Sequence, residues 1–483
     1  MAYLHSIFIC IFLFLAGHLL KPLPAPPGNP SPPADPASLA GAFSTFEQDA
    51  QLRYGIAAIS VLDARTGEPV FIRNGNTGMV PASTLKTITS ITSLHLLGPA
   101  YRYRTVLQYT GAINPEGTLR GDLIIRGSGD PTLGSSRWPT TTEKAVLENW
   151  ADAVKKAGIR RVEGRIIGDQ SRMGTQSVPG GWQWDDIGNY YGAGSSALNW
   201  RENQFDILLR PTQVGGPVQR IGTRPEMDYL DFVNELTTGP AGTGDRAYVY
   251  LPPYRDVAYL RGTFAIDAGK PAISAALPDP AFDCAYRFLQ VLESNGIAVS
   301  GKATTDRRLQ LEGTALPGGG KELGASWSPM LSDIIREFND HSINLYGESL
   351  VKTLAIENGK QGSTPAGIRL IREFWADRGI DSASLVVDDG SGLSPANRVT
   401  VSTMSRILQD ARKASWFGDF YEALPVQNGM RMKSGFIQGV RGYAGYHTAR
   451  SGREYTFAFI VNNYNGSGSA MRRKMWSILD HLK

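Results

Sequence analysis

Apolar and polar positions along the chain fall into blocks with helical or strand periodicity. The run 39–51 has helical spacing. Ile56-Ala57-Ala58-Ile59-Ser60-Val61-Leu62 and Val70-Phe71-Ile72 then flank Asp63-Ala64-Arg65-Thr66-Gly67-Glu68-Pro69, the pattern of a β-hairpin with turn chemistry at its centre. Leu85, Ile88, Ile91, Leu94 and Leu97 recur at helical spacing, and Gly98-Pro99 supplies a stop. From about Tyr101 the texture shifts to short strands and glycine turns. Strands are predicted over 103–109, 121–126 and 161–168, and helices over 142–157 and 280–295, closed by Gly158 and Gly296. Helical spacing returns near Ala325, with Met330, Ile334, Ile335 and Phe338 marking one helix and 345–356 a second. Strands over 442–447 and 455–461 and a helix from about Ser469 to Leu482 end the chain.

Strands both early and late, with helices near each, describe a discontinuous α/β domain over 37–103 plus 325–483. A mostly β insertion over 104–324, forming one or two extra domains, interrupts it. A length of 483 residues fits two or three domains. With 42% hydrophobic and 19% charged residues, there is ample material for a core. The net charge of +4 is small for this length, and no basic run interleaved with aromatics accompanies it, so nucleic acid is not an expected partner.

Ser6 to Leu20 form an apolar core of signal-peptide length, too short for a confident membrane span, with a meagre positive flank. Residues 1–20 therefore read as a signal peptide or as a retained N-terminal anchor, which would hold the chain at a membrane surface. Residues 21–36, dense in proline, read as a linker. Export to the periplasm or cell envelope is the expectation. With Cys10 inside the leader, Cys284 has no partner for an intramolecular disulfide.

The chemistry begins at Pro81-Ala82-Ser83-Thr84-Leu85-Lys86. Ser83 is expected in the first turn of a helix with Lys86 one turn later on the same face. A serine hydroxyl needs a base to become a nucleophile, and a lysine serves if burial or a neighbouring cation lowers its pKa. A single Ser-x-x-Lys carries little weight, since a capped helix with a solvated lysine explains it as well. Two further fragments change its weight. Ser342-Ile343-Asn344 lies between two late helices, where an extended backbone would point both side chains one way. Lys433-Ser434-Gly435-Phe436 precedes a strand-rich stretch, where a lysine, a hydroxyl and a glycine leaving room for substrate backbone suit a carboxylate ligand. Aromatics at Trp182, Trp184, Tyr190 and Tyr191 suit either a groove or core anchoring, and anchoring is the favoured reading.

In this order the three fragments are the signature of penicillin-recognising serine acyltransferases. The long stretch between Lys86 and Ser342 contains Gly127-Ser128-Gly129-Asp130-Pro131 and Ser196-Ala197-Leu198-Asn199, with Asn203, and Asp388 to Ser394 follows. The chain resembles the D-alanyl-D-alanine carboxypeptidase/endopeptidases among the class C low-molecular-mass penicillin-binding proteins, peptidase family S13, over essentially all of 45–480. Ser434 departs from the usual threonine but keeps the hydroxyl.

The resemblance implies an α+β, β-lactamase/transpeptidase-like fold with an antiparallel sheet between helical layers. It implies that Ser83 attacks the carbonyl between two terminal D-alanines of a peptidoglycan stem peptide while Lys86 takes its proton. Ser342 would relay the proton to the departing amine, and Asn344 would hold Lys86 and the substrate amide. Lys433 and Ser434 would bind the terminal carboxylate, with the N–H groups of Ser83 and Phe436 as oxyanion hole. β-Lactams are then covalent inhibitors, and neither metal nor cofactor is required. A β-lactamase or esterase on the same motifs, and a non-catalytic wall-binding protein on the same fold, remain the alternatives.

Overall fold

The structure, a computed structural model, describes residues 36–483. The apolar leader and nearly all of the proline-dense linker lie outside the described residues. Among the described residues no helix is long and apolar enough to cross a membrane.

A six-stranded antiparallel sheet forms the base. Its order runs from Pro69–Arg73 through Ile56–Asp63, Glu454–Asn462, Val440–Thr448 and Met430–Ile437 to the two-residue strand Val426–Gln427. Side chains alternate across a strand, and here both faces are covered. Ala57, Ile59 and Val61, with Phe457, Phe459 and Val461, point toward the helices at the two ends of the chain, Pro36–Glu47 and Gly468–Leu479. Ala58, Ala458 and Ile460 point the other way, into a core filled by Leu85, Ile88, Ile91 and Leu94 of the helix Leu85–Leu97. The helices Leu331–Asp340, Asn344–Glu357, Thr364–Ala376 and Val401–Ala411 complete that layer. Double coverage explains why 457–461 is continuously apolar instead of alternating. Each fully buried Leu, Ile or Phe contributes about 1.5–3 kcal/mol.

The segment inserted after the first part of the sheet begins with Arg104–Tyr109 and ends with Lys321–Trp327. These two strands pair antiparallel in a five-stranded sheet, so the segment leaves and re-enters at one place. The second strand runs across position 325, where the insertion was expected to end. Helices Glu143–Lys156 and Pro280–Ser294 supply much of one separate core, so this part is layered and not purely β. Strands between 204 and 276 enclose another. The single strand predicted over 161–168 is two, Arg161–Val162 and Ile166–Asp169, in different sheets. Between them Gly164 packs against the backbone of Gly121, and the chain steps from one sheet to the next.

Two glycines bring the sheet and a loop hard against the turn that carries Ser83. A Cβ on Gly435, in the strand Met430–Ile437, would lie 2.8 Å from the Pro81 carbonyl oxygen and 3.0 Å from the Ser83 and Thr84 nitrogens. On another side Gly392, at φ +86°, would place a Cβ 1.9 Å from the Ala82 carbonyl oxygen. The room at Gly435 is therefore taken up by the protein's own Ser83 turn, not only by substrate as the sequence reading supposed. Gly435→Ala is expected to destabilise the fold by about 1–3 kcal/mol through overpacking. Gly41→Ala, on the helix Pro36–Glu47 with nothing within 4 Å, is expected to be neutral or to gain up to about 1 kcal/mol. Thermal melts of the two variants beside wild type check both; equal melting temperatures would refute the close-approach account.

Candidate active site

Ser83 occupies the middle of a 3₁₀ turn, Ala82–Thr84, that leads directly into the helix Leu85–Leu97. Ala82 adopts φ +45°, a conformation costing of order 1–3 kcal/mol for a residue other than glycine. The surroundings hold it there. The Thr84 hydroxyl donates to the Pro81 carbonyl at 2.6 Å, and the Asn462 side chain makes paired bonds with the Val80 backbone at 2.8 and 3.1 Å. The sheet thus grips the segment just before the nucleophile candidate.

Lys86 is fully buried. Its Nζ lies 2.8 Å from Ser83 Oγ and donates to Asn344 Oδ1 at 2.7 Å and to the Ser391 carbonyl at 2.8 Å. Asn344 Nδ2 donates to the Tyr191 carbonyl at 2.8 Å, which fixes the orientation of the amide. A neutral amine has two hydrogens and one lone pair. Two partners here are oxygens that only accept, so they take both hydrogens and leave the lone pair facing the Ser83 hydroxyl. Burial pushes the Lys86 amine well below the ordinary lysine range, and the Lys433 charge pushes the same way. Asp389 and Glu348 pull it back up. Burial also lowers Lys433 to about 8, against the pull of Asp340.

The loop carrying the Ser391 carbonyl is built around Asp389. This buried carboxylate accepts from the backbone N–H of Gly392 (2.8 Å) and Ser394 (2.7 Å), from Asn397 Nδ2 (2.8 Å) and from Trp182 Nε1 (2.9 Å). Glu348, on the helix Asn344–Glu357, accepts from the backbone N–H of Gly390 and Ser391. Its pKa is raised to about 8 by burial and by the Asp389 charge. One helical turn on, Lys352 donates to the carbonyls of Gln176, Ser177 and Ser195, and Asn199 reaches Ser349. This helix therefore anchors the inserted segment as well as the site.

Ser342 sits at φ +57°, so the backbone is not extended there. The helix Leu331–Asp340 ends and the helix starting at Asn344 begins within three residues, and a left-handed residue makes the reversal. Ser342 does not cap that helix; Ile343 occupies the N-cap position without a side-chain bond. Ser342 still lines one cleft, of about 1070 Å³, together with Ser83, Asn344 and Phe436. Lys433 is buried and not among the residues lining the cleft, and its Nζ donates to the Ser434 carbonyl at 3.2 Å. Ser434 Oγ accepts from Gln427 Nε2 at 3.2 Å, on the neighbouring strand. Phe436 is 57% exposed, with the Arg441 guanidinium 4.9 Å from its ring centre.

The carbonyls of Tyr191 and Ser391 were not legible in the sequence, because any residue supplies a carbonyl. Trp182 left a faint signal as one of the clustered aromatics. Anchoring is what the structure assigns to it, whereas Trp184 and Tyr190 are half exposed.

The model of the D-Ala-D-Ala carboxypeptidase 3 (S13) family matches residues 39–482. The chain belongs to this family. A D-alanyl-D-alanine carboxypeptidase from Actinomadura sp. (strain R39) is 28% identical over 447 residues, covering 87% of this chain and 80% of that protein. D-alanyl-D-alanine carboxypeptidase DacB from Haemophilus influenzae is 23% identical over 412 residues, with 81% and 82% covered. The crystal structure of penicillin binding protein 4 (dacB) from Haemophilus influenzae superposes with a TM-score of 0.76 at 21% identity. It covers 92% of this chain and 97% of that one, and it shows the shared fold.

Trp182→Phe keeps the aromatic ring and removes the N–H that Asp389 accepts. The rate of reaction with penicillin is expected to fall by about 10–150-fold, since a buried charge-assisted hydrogen bond contributes about 1.5–3 kcal/mol and each 1.4 kcal/mol is tenfold. The pH–rate profile should shift with it, because a loosened Asp389 loop changes the field at Lys86. A variant that folds, reacts at the wild-type rate and keeps the wild-type profile would show that the bond does not position the site.

Proposed function

We propose that this chain is a serine D-Ala-D-Ala carboxypeptidase/endopeptidase acting on peptidoglycan stem peptides, with β-lactams as covalent inhibitors. The observation that carries the site assignment is the buried amine of Lys86, 2.8 Å from Ser83 Oγ, with two acceptor-only oxygens as its other partners. Ser83 Oγ attacks the carbonyl carbon of the penultimate D-alanine while its proton passes to Lys86 Nζ. The N–H groups of Ser83 and Phe436 stabilise the oxyanion, each such donor contributing about 3–4 kcal/mol. Ser342 carries a proton to the departing amine of the terminal D-alanine. Lys433, with the Ser434 hydroxyl, binds the terminal carboxylate; Ser434 Oγ accepts from Gln427 and keeps its O–H free to donate. Water then enters, adds to the acyl-enzyme carbonyl, and releases the shortened peptide and Ser83.

In this reading 37–103 with 325–483 is the catalytic domain and 104–324 the insertion that walls the cleft. Export to the periplasm or cell envelope is part of the proposal; the apolar leader in the sequence supports it, cleaved or retained at the membrane surface.

Intact-mass spectrometry after exposure to penicillin tests the nucleophile. The expected outcome is one stable adduct on wild type and none on Ser83→Ala; no adduct on folded wild type would move the reading to a wall-binding protein. Fast nitrocefin turnover would move it to a β-lactamase.

Two depressed lysines at the site, Lys86 and Lys433, set the pH dependence. Lys86 must be neutral, so the acylation rate rises with pH through its lowered pKa. Lys433 must be charged, so carboxylate binding falls above about pH 8. A bell-shaped kcat/KM profile is expected, with an alkaline limb near 8 that Lys433→Arg moves upward. A profile flat from acid to alkaline pH would count against Lys86 as the base.

A further inference from the structure

The inserted region carries a row of aromatic side chains that the chemistry at Ser83 does not use. Strands Asp245–Tyr250 and Val257–Ala265 pair antiparallel, with Tyr250 opposite Tyr259 and Tyr248 opposite Arg261. Alternate residues share a face, so these four stand together while Val249, Ala258 and Leu260 are buried on the reverse. Tyr248 and Tyr259 are 41% and 39% exposed, and Trp184, 54% exposed, has its ring centre 6.2 Å from that of Tyr250. The Arg261 guanidinium lies 5.2 and 5.1 Å from the ring centres of Tyr250 and Tyr259 and donates to Glu235 at 2.7 Å. A solvated strand face has no structural need of such rings; threonine or lysine serves there. Large aromatics left together in water mark a binding surface.

The row starts at the catalytic cleft. Tyr248 lines that cleft together with Ser83, and so does Asp185, the neighbour of Trp184. A second cavity, of about 510 Å³, shares Tyr190, Tyr191 and Tyr248 with the cleft and carries it on toward Arg246. Same-face positions on a strand are about 7 Å apart and opposed positions about 5 Å. That step is comparable to the width of a sugar ring. The apolar C–H face of a pyranose packs on the negative face of an aromatic ring, and Arg261 supplies donors for acetamido oxygens beside it.

We propose that Trp184, Tyr250, Tyr259 and Arg261 form a stacking platform for the glycan strand whose stem peptide enters the cleft. The proposal rests on the function given above, since it takes the substrate to be a peptide attached to an amino-sugar polymer. The platform would let the enzyme favour polymer over free peptide without any contact at the scissile bond.

The test compares wild type, Tyr250→Ala/Tyr259→Ala and Tyr250→Phe/Tyr259→Phe. Each is assayed on a free pentapeptide ending in D-Ala-D-Ala and on the same pentapeptide linked to its disaccharide. The alanine pair is expected to keep kcat/KM on free peptide within about twofold and to lose about tenfold on the disaccharide substrate, mostly in KM, while the phenylalanine pair retains both. Equal activity of the alanine pair and wild type on the disaccharide substrate would overturn the platform. So would equal losses on both substrates, which would place the rings' effect in the cleft or the fold.

A binding arm is independent of turnover. Ser83→Ala protein is titrated with a β-1,4-linked N-acetylglucosamine tetramer, with and without the two alanines. Saturable binding weakened at least about fivefold by the alanines is expected; no binding overturns the platform. Wild type that cleaves neither substrate, whatever the tetramer does, overturns the proposed function instead. If the alanine pair melts early, Trp184→Ala and Tyr259→Ala are read singly against the same outcomes.

Discussion

A lysine amine taken entirely out of water and held against a serine hydroxyl is the constraint on which the rest of this structure depends. Burying an ammonium costs several kcal/mol unless its charge is well compensated. At Lys86 that cost favours the neutral amine, the form that the proposed role as proton acceptor requires. The amine is a useful base only if its lone pair points at Ser83, so its two hydrogens need acceptors elsewhere. Asn344 and the Ser391 carbonyl provide them, from two separate parts of the chain. Lys433 adds repulsion from a third.

Holding those oxygens in place explains features that look unrelated in isolation. The Asp389 carboxylate gathers four donors so that the loop around it has one shape. Glu348 ties the same loop to the helix behind it by accepting from the backbone N–H groups of Gly390 and Ser391. Gly435 and Gly392 let a strand and a loop close on the Ser83 turn from separate sides. The insertion belongs to this framework too. Trp182 donates to Asp389 and the Tyr191 carbonyl orients Asn344, so the segment that could be mistaken for an appendage completes the surroundings of Lys86.

How much of this could be read in advance follows the range of each interaction. Ser83 and Lys86 are one helical turn apart, so their meeting follows from local geometry. Ser342, Asn344 and Lys433 were legible only as members of an ordered set of motifs, since each fragment alone has an ordinary structural explanation. The conformation of Ser342 stayed open in the sequence, because the tightness of the turn between two helices depends on how those helices pack. Gly435 was assigned to substrate, yet it first accommodates the protein's own backbone, a close approach that no local pattern announces.

By itself the sequence determined the elements and the chemistry-bearing residue types. Periodicity set the predicted helices to within a few residues but joined two strands over 161–168 and left out the helices Thr364–Ala376 and Val401–Ala411, and the ordered motifs picked out Ser83, Lys86, Ser342, Asn344 and Lys433 as candidates. Those signals are carried by side-chain identity and short-range spacing, which a sequence states outright. Only the tertiary structure decided which backbone carbonyls receive Lys86, which loop the buried Asp389 shapes, and which aromatics are anchors and which are exposed. Carbonyls are common to every residue, and exposure depends on what the rest of the chain leaves uncovered. Trp182 and Trp184 show the difference: two positions apart in one short motif, one is sealed against Asp389 and the other stands open beside Tyr250.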